Sequence, residues 1–580
     1  MSDKKITLFG ILLFGIMFLF FQQSYLFHFY YIEQHQLFLF SKEYFYETIN
    51  TPGGLSLYIN EFLIQFYLLP YAGSFITSLL LTMAGILIAL ICKRLAPNMP
   101  LYFLYCYMVL ALMFMHFKTN YLIQGTIAYL FLLLALYGYI RMFSFKWRLV
   151  YAAICVPLLF YGGGPVSILF AICIILYEMF YPGWHKLSVL LIAVEAVLIA
   201  VWSVYWGIMG SFRLAFLPDI YLYEELSSNR VVYELWIRLP ILFFIALLFR
   251  NRKPLTQKRE VMETVLQFLI IGVACWSDIP KHGDSKSVKM KELDYYSRNE
   301  KWDDIIEACK TPMVDYAHLG YLNRALAEKG ILAEKMFLFD QHGAMGLYSA
   351  NYNTTLLCDI YFTLGNMALS QEMAFETYLL STHSGNPRML KRLIQTNLVY
   401  GAWNVAEKYI SILEKSLFYK QWAKEQRRFL FNDEAIRLDP VLGDKRKSLV
   451  CDNYLRAALD PDTDLFALAR QNPDNHIPPE YAGAYYLLLR DSDKFMAMLG
   501  KLYDTNDISS LPISFQEAFV LFNTEPDKYE KYAIPQSLIR EYMEFQKQSL
   551  IMQNKPSNQF FSQFGHTYWY YYTFKKSNQA

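Results

Sequence analysis

Residues 71–92 read YAGSFITSLLLTMAGILIALIC. A bilayer core requires about 20 consecutive apolar residues of helix, so this stretch predicts a membrane span. Eight similar stretches complete a set of nine predicted spans: 6–22, 71–92, 99–116, 121–140, 148–161, 164–181, 187–208, 234–250 and 260–277. The chain is 55% hydrophobic and only 18% charged, whereas soluble domains carry about 25% charged residues. The composition therefore excludes disorder and a wholly soluble enzyme.

The basic residues between the predicted spans are divided unequally between the two sides. One side carries Lys4, Lys5, Lys93, Arg94, Arg141, Lys146, Arg148, Lys186, Arg250, Arg252, Lys253, Lys258 and Arg259, and the other carries Lys42, Lys118, Arg213, Arg230 and Arg238. The richer side is expected in the cytoplasm. We therefore predict a multi-pass protein of a bacterial cytoplasmic (inner) membrane, with a cytoplasmic N-terminus and a periplasmic C-terminal domain.

The second half of the chain has the pattern of a soluble helical protein. Short amphipathic segments are paired across turns, as in 293–296 with 302–306 and 390–400 with 405–413. These pairs resemble tetratricopeptide repeats, whose helix pairs stack into a solenoid. The predicted fold is all-α, with a membrane helix bundle at 1–278, a linker at 279–288 and an extracytoplasmic repeat domain at 289–574. The aromatic stretch 564–572 is expected to cap the solenoid.

Charge and cysteine spacing argue against several classes of function. A net charge of +2 is too small to indicate a nucleic-acid partner. The eight cysteines show no metal-ligand spacing, and five of them lie in apolar runs, where cysteine packs as a small hydrophobic residue. Nucleotide-binding loops and the HExxH and GxSxG motifs are missing from credible contexts. An active site is therefore expected in loops at the membrane surface.

The longest predicted outer loop, about 23–70, carries the candidate catalytic carboxylates Glu33, Glu43 and Glu47. Glu43 and Glu47 share a face if 41–50 is helical. Residues 55–69 are predicted to form an amphipathic interfacial helix with Glu61 and Gln65 on one stripe. The alternative for each carboxylate is a solvated loop residue.

The other outer loops carry candidate substrate-binding residues. His116 and Lys118 lie in the second loop, and Arg213 and Arg230 in the fourth. Arginine suits phosphate or pyrophosphate recognition, although interfacial anchoring explains the same residues. Glu195 lies inside the seventh predicted span. An intramembrane carboxylate is either functional or protonated and hydrogen-bonded between helices.

This layout resembles the GT-C superfamily of membrane glycosyltransferases, and its repeats make it similar to the transmembrane-and-tetratricopeptide O-mannosyltransferases. The resemblance implies a polyprenyl-phosphate-linked sugar donor and a protein or glycan acceptor presented by the repeats. By position, Glu33, Glu43 and Glu47 occupy the region of the family's catalytic acid. Such a carboxylate deprotonates or orients the acceptor hydroxyl, or binds a divalent cation. The chain departs from the family in having separated glutamates rather than an adjacent acidic pair.

Two other functions remain as hypotheses. The first is a non-catalytic membrane scaffold that recruits envelope proteins through its repeats. The second is a transporter or lipid flippase that uses Glu195, although the inverted repeats typical of such folds are not visible. Membrane lipids are expected partners in every case.

Overall fold

The computed structural model describes residues 3–99, 101–180, 186–222, 230–283, 285–311, 315–348, 353–381, 385–450, 461–504, 511–523, 527–552 and 556–575. In these ranges the regular secondary structure is helical. The only β-type contact described there is an isolated antiparallel bridge between Tyr121 and Leu222. The prediction of an all-α protein is thereby confirmed.

The chain divides into two compact units. The first comprises Met1–Val288 with the short segments Ser381–Gly385 and Lys415–Lys420, and the second comprises Lys289–Leu380, Asn386–Glu414 and Gln421–Ala580. The main division at Val288 falls at the end of the predicted linker, 279–288. This linker is mostly helical, since one helix ends at His282 and the next begins at Ser285.

The described residues up to His282 form thirteen α-helices. They are α1 (Asp3–Ser24), α2 (Leu26–Glu33), α3 (Lys42–Ile49), α4 (Gly54–Ile64), α5 (Ala72–Leu95), α6 (Tyr102–Met115), α7 (Gln124–Arg141), α8 (Phe145–Gly163), α9 (Val166–Met179), α10 (Lys186–Tyr205), α11 (Phe212–Phe216), α12 (Arg230–Leu248) and α13 (Gln257–His282). Each of the nine predicted spans coincides with one of these helices. Among the described residues, α1, α5, α8 and α13 are long and apolar enough to cross a membrane; a count of nine stays a prediction.

The core of the first unit surrounds α5, which packs against α1, α6 and α7. Gly85 of α5 permits this packing, because an added Cβ would lie 2.9 Å from Leu13 Cδ2 and 3.0 Å from Val109 Cγ2. Leu81 and Ala84 on the same helix are fully buried. The helices therefore cross at a distance that a larger residue at position 85 would not allow.

The remaining helices run from α14 to α33. They are α14 (Ser285–Arg298), α15 (Trp302–Ala308), α16 (Tyr316–Glu328), α17 (Leu332–Lys335), α18 (Met345–Tyr348), α19 (Thr354–Leu364), α20 (Met367–Leu379), α21 (Pro387–Tyr400), α22 (Trp403–Leu413), α23 (Lys420–Gln426), α24 (Asp433–Leu438), α25 (Leu442–Lys447), α26 (Pro461–Gln471), α27 (Ile477–Leu489), α28 (Ser492–Leu502), α29 (Ile513–Phe522), α30 (Asp527–Lys531), α31 (Gln536–Ile551), α32 (Asn558–Phe564) and α33 (Tyr568–Phe574). Neighbours pack in pairs, including α19 with α20 and α21 with α22. Gly401, with φ +75°, forms the left-handed turn between α21 and α22, a conformation in which glycine is favoured.

A buried ion network connects four helices of the second unit. Asp359 of α19 accepts hydrogen bonds from Arg324 of α16, at 3.3 Å, and from Arg388 and Arg392 of α21, the latter at 2.8 Å. Arg388 also donates to Asp294 of α14 at 2.7 Å. Charges this deeply buried need such partners, so the network fixes the relative positions of these helices.

The aromatic C-terminal stretch packs into the second unit, and its role as a cap stays a prediction. Trp569 of α33 is fully buried and its indole N–H donates to the carbonyl of Glu517 at 2.7 Å. Tyr568, also fully buried, donates to the carbonyl of Leu487 at 3.2 Å. Both polar tips are thus satisfied within the core.

Candidate functional site

The candidate site is the acidic connection, which we define as residues 25–71 between α1 and α5. It folds into α2, α3, α4 and a 3₁₀ turn at Gln65–Leu68. Ser41 caps α3 by accepting a hydrogen bond from the Tyr44 N–H at 3.2 Å, and serine is a favoured residue at this position. Nine of its polar side chains are buried: His28, Glu33, Gln34, Gln36, Thr48, Ser56, Asn60, Glu61 and Gln65.

An amide network fixes the acidic connection to the start of α7. Asn60 donates to Gln36 Oε1 at 2.6 Å and accepts from the Gln124 N–H at 3.1 Å. The Gln124 side chain donates to the carbonyl of Gly53 at 3.2 Å. Gly53 has φ +76°, and an added Cβ would lie 3.2 Å from Gln124 Nε2 and 3.5 Å from the Gly164 nitrogen. Glycine is therefore favoured here by its left-handed conformation, and a Cβ would also fit closely against Gln124.

Glu33 lies inside the acidic connection, at the last position of α2. Its side chain is buried, and Tyr419 donates a hydrogen bond to Oε1 at 2.7 Å. Tyr419 belongs to the segment Lys415–Lys420, whose Lys415 carbonyl also accepts from the Phe40 N–H at 2.7 Å. The carboxylate of Glu33 is thus held in a defined orientation.

Glu43 and Glu47 are exposed on the surface of the acidic connection. Both are on α3, one turn apart, as the spacing predicts. A hydrogen bond from its own backbone N–H, with a second from Ser41, lowers the pKa of Glu43. The structure therefore brings Glu43 and Glu47 to one exposed face of α3, whereas Glu33 is buried.

Glu61 is a carboxylate that the sequence places on a stripe but does not single out. It is buried on α4, and the hydroxyl of Tyr44 donates to its Oε2. Burial raises the pKa of Glu61 to about 8, because desolvation disfavours the charged form. Its position on one stripe with Gln65, also buried, is the signal that could have identified it.

The predicted substrate-binding residues lie on other elements of the first unit. His116 is buried and its Nε2 lies 2.9 Å from Thr126 Oγ1, while Lys118 donates to the carbonyl of His282 at 3.3 Å. Arg213 is exposed and forms an ion pair with Asp219 at 2.8 Å.

Glu195 and Arg230 are the other two predicted residues. Glu195 lies on α10 and is half-buried. The side chain of Arg230 lies outside the described residues, although α12 begins there.

A metal centre has no candidate within the described part of the chain. No group of three or more His, Cys, Asp or Glu side chains is arranged there to hold an ion. A divalent cation in the site stays a prediction from the resemblance.

Comparison with known proteins identifies the family. A family model described as a family of unknown function, DUF6057, matches residues 3–575. The chain belongs to this family. Neither a curated protein nor a solved structure shows significant similarity to it.

Proposed function

We propose that this chain is a membrane glycosyltransferase that moves a sugar from a polyprenyl-phosphate-linked donor to an acceptor on the outer side of the membrane. One observation carries the proposal: Glu33, at the end of the short helix α2 that follows the first apolar helix, is buried and oriented by Tyr419. Burial and a fixed partner distinguish a positioned group from a solvated surface carboxylate.

Glu33 is favoured over Glu43 and Glu47 as the catalytic carboxylate. The latter two are exposed on α3, where water solvates their charge and weakens any electrostatic effect on a reacting group. In the proposed step, Glu33 takes the proton of the acceptor hydroxyl. The acceptor oxygen then bonds to the anomeric carbon, and polyprenyl phosphate leaves with the electron pair of the broken C–O bond.

The leaving phosphate needs a cation, and Lys118 is the strongest candidate. Lys118 is half-buried, and its ammonium donates to the carbonyl of His282. A neutral carbonyl does not balance the positive charge of the ammonium. Arg213, in contrast, is paired with Asp219. A lysine ammonium acts as a point charge towards phosphate oxygens.

The proposed topology places the acidic connection and the repeat domain on the same, outer side. Nine predicted spans that all coincide with helices, and the excess of basic residues on the opposite side, support it. The membrane would be a bacterial cytoplasmic membrane, with the repeats in the periplasm.

The test uses the full chain in nanodiscs with radiolabelled polyprenyl-phosphate hexoses and a membrane fraction as the source of acceptor. Released polyprenyl phosphate is measured. We expect Glu33→Gln to lower the rate by at least about 100-fold, which is the usual contribution of general base catalysis, and Tyr419→Phe to lower it by less. Glu434→Gln, an exposed carboxylate of α24, is the control.

Two results would revise the proposal. If Glu33→Gln is fully active while Glu43→Gln or Glu47→Gln is inactive, the catalytic role moves to α3. If all three variants match the wild-type rate, the acidic connection is not the catalytic site.

A scaffold that recruits envelope proteins is the second candidate. The paired helices of the second unit favour it, since such repeats commonly bind other proteins. If the second unit, attached to a single membrane-spanning helix, restores the wild-type phenotype to a deletion strain, the scaffold function is the correct one.

A further inference from the structure

The second unit contains a cavity of about 630 Å³. Its described walls come from α20, α21, α22 and α26 and from residues 448–450, just after α25. This volume lies within the range of 300–1,000 Å³ that is usual for small-ligand sites.

Two aromatic side chains of the wall are partly accessible. Phe375 of α20 and Tyr400 of α21 both line the cavity and are 44% and 43% exposed. Two half-exposed rings at the edge of one cavity provide flat apolar surfaces for a ligand.

The polar part of the wall consists of groups that can accept or donate hydrogen bonds. Asn366 and Gln371 contribute amides, and Glu372 and Asp464 contribute carboxylates. Asn366 donates to Asp464 Oδ2 at 3.4 Å, so these two groups lie close together; Gln371 donates to Asn397 Oδ1 at 3.5 Å. Carboxylate and amide oxygens accept hydrogen bonds from hydroxyl groups, and amide nitrogens donate to them.

The charge of the wall disfavours anionic ligands. Within the described lining, Lys, Arg and His are missing. Nearby Lys445 and Arg446 are engaged with Asp444, at 3.4 Å, and with Asp433, at 2.6 Å. A wall with carboxylates and without cations disfavours phosphates, nucleotides and other anions.

We propose that this cavity binds a neutral oligosaccharide. The C–H faces of the sugar rings pack on Phe375 and Tyr400, and the hydroxyls bond to Asn366, Gln371 and the two carboxylates. The inference rests on the proposed function for its biological meaning: the cavity then holds the glycan acceptor. Sugar binding itself does not require the transfer reaction.

The experiment measures binding of maltotriose, mannotriose and chitotriose to the full chain in nanodiscs by saturation-transfer NMR and calorimetry. We expect at least one trisaccharide to bind with a Kd below 5 mM. Phe375→Ala and the double variant Glu372→Gln/Asp464→Asn should each weaken binding by tenfold or more. Leu379→Ala and Glu376→Gln, exposed on α20 outside the lining, should leave it unchanged.

Several outcomes overturn the inference. The first is that no trisaccharide binds with a Kd below 5 mM. The second is that a trisaccharide binds but the cavity variants do not weaken its binding. The third is that an uncharged peptide such as acetyl-Ala-Gly-Ser-Ala-amide binds more tightly at the same residues. Glu33→Gln protein should retain sugar binding. If the wild-type chain transfers sugar but binds no trisaccharide, only the cavity proposal is refuted. If the wild-type chain binds a trisaccharide but transfers no sugar, only the glycosyltransferase function is refuted.

Discussion

At the scale of single residues, Glu61 shows how burial converts an acidic side chain into a neutral one. Its folded-state pKa is about 8, while an exposed glutamate titrates near 4.3. The folded protein therefore retains a proton that the unfolded chain releases. Between these two pH values, stability should fall as the pH rises, because the folded state binds more protons.

We predict that Glu61→Gln removes this pH dependence. The amide oxygen still accepts from Tyr44, but the side chain no longer titrates. The melting temperature of the purified protein, followed by tryptophan fluorescence from pH 5 to 8.5, should decrease less for the variant than for the wild type. Glu47→Gln, at an exposed position, is the matched control, and parallel curves for wild type and Glu61→Gln would contradict the assignment.

At the scale of helices, the ion network of Asp359 joins α14, α16, α19 and α21 through charge pairs. Burial by itself would raise the pKa of Asp359, but Arg388, Arg324 and Arg392 outweigh this effect and hold it below its ordinary value. The stabilisation is thus present above the unfolded-state pKa, near 3.9, and is lost as the pH falls below it.

Asp359→Asn should destabilise the second unit by about 3–5 kcal/mol, since removing one partner leaves buried charges uncompensated. Limited proteolysis and thermal unfolding measure the effect. Asp303→Asn, which removes an exposed partner of Lys329, should cost about 0–1 kcal/mol. Equal stability of the two variants would show that the network contributes little.

The terminal helix α33 is expected to stabilise the end of the second unit. Trp569→Ala removes a fully buried indole that packs on Tyr542 and Phe545, and such truncations cost about 3–5 kcal/mol. Faster proteolysis near the C-terminus is the expected readout. Leu550→Ala, at a side chain that is 84% exposed, should have no such effect.

At the scale of the whole molecule, topology is the testable prediction. In a background without native cysteines, Glu300→Cys should react with a membrane-impermeant maleimide in cells whose outer membrane alone is permeabilised. Lys253→Cys, between α12 and α13, should react only after the inner membrane is opened. Both positions are exposed. The reverse labelling pattern would refute the predicted orientation.

Much of the fold is readable from the sequence because hydropathy acts locally. The run 71–92 and its eight counterparts predicted helices that the structure contains, and the turn at Gly401 followed from residue type. The boundary between α13 and α14 was harder to predict, since a polar segment such as 279–288 can be linker or helix and only its packing decides.

The sequence by itself determined the all-helical class, the positions of the apolar helices and the change to a repeat-like second half, because periodicity and residue size are properties of neighbouring residues. Tertiary structure alone decided which polar groups are buried. Glu33, Glu43 and Glu47 look equivalent in the sequence, but Tyr419, nearly 400 residues away from Glu33, fixes one of them while the other two remain exposed. Burial and hydrogen bonding between distant segments depend on how the helices pack, and the local sequence pattern does not specify this packing.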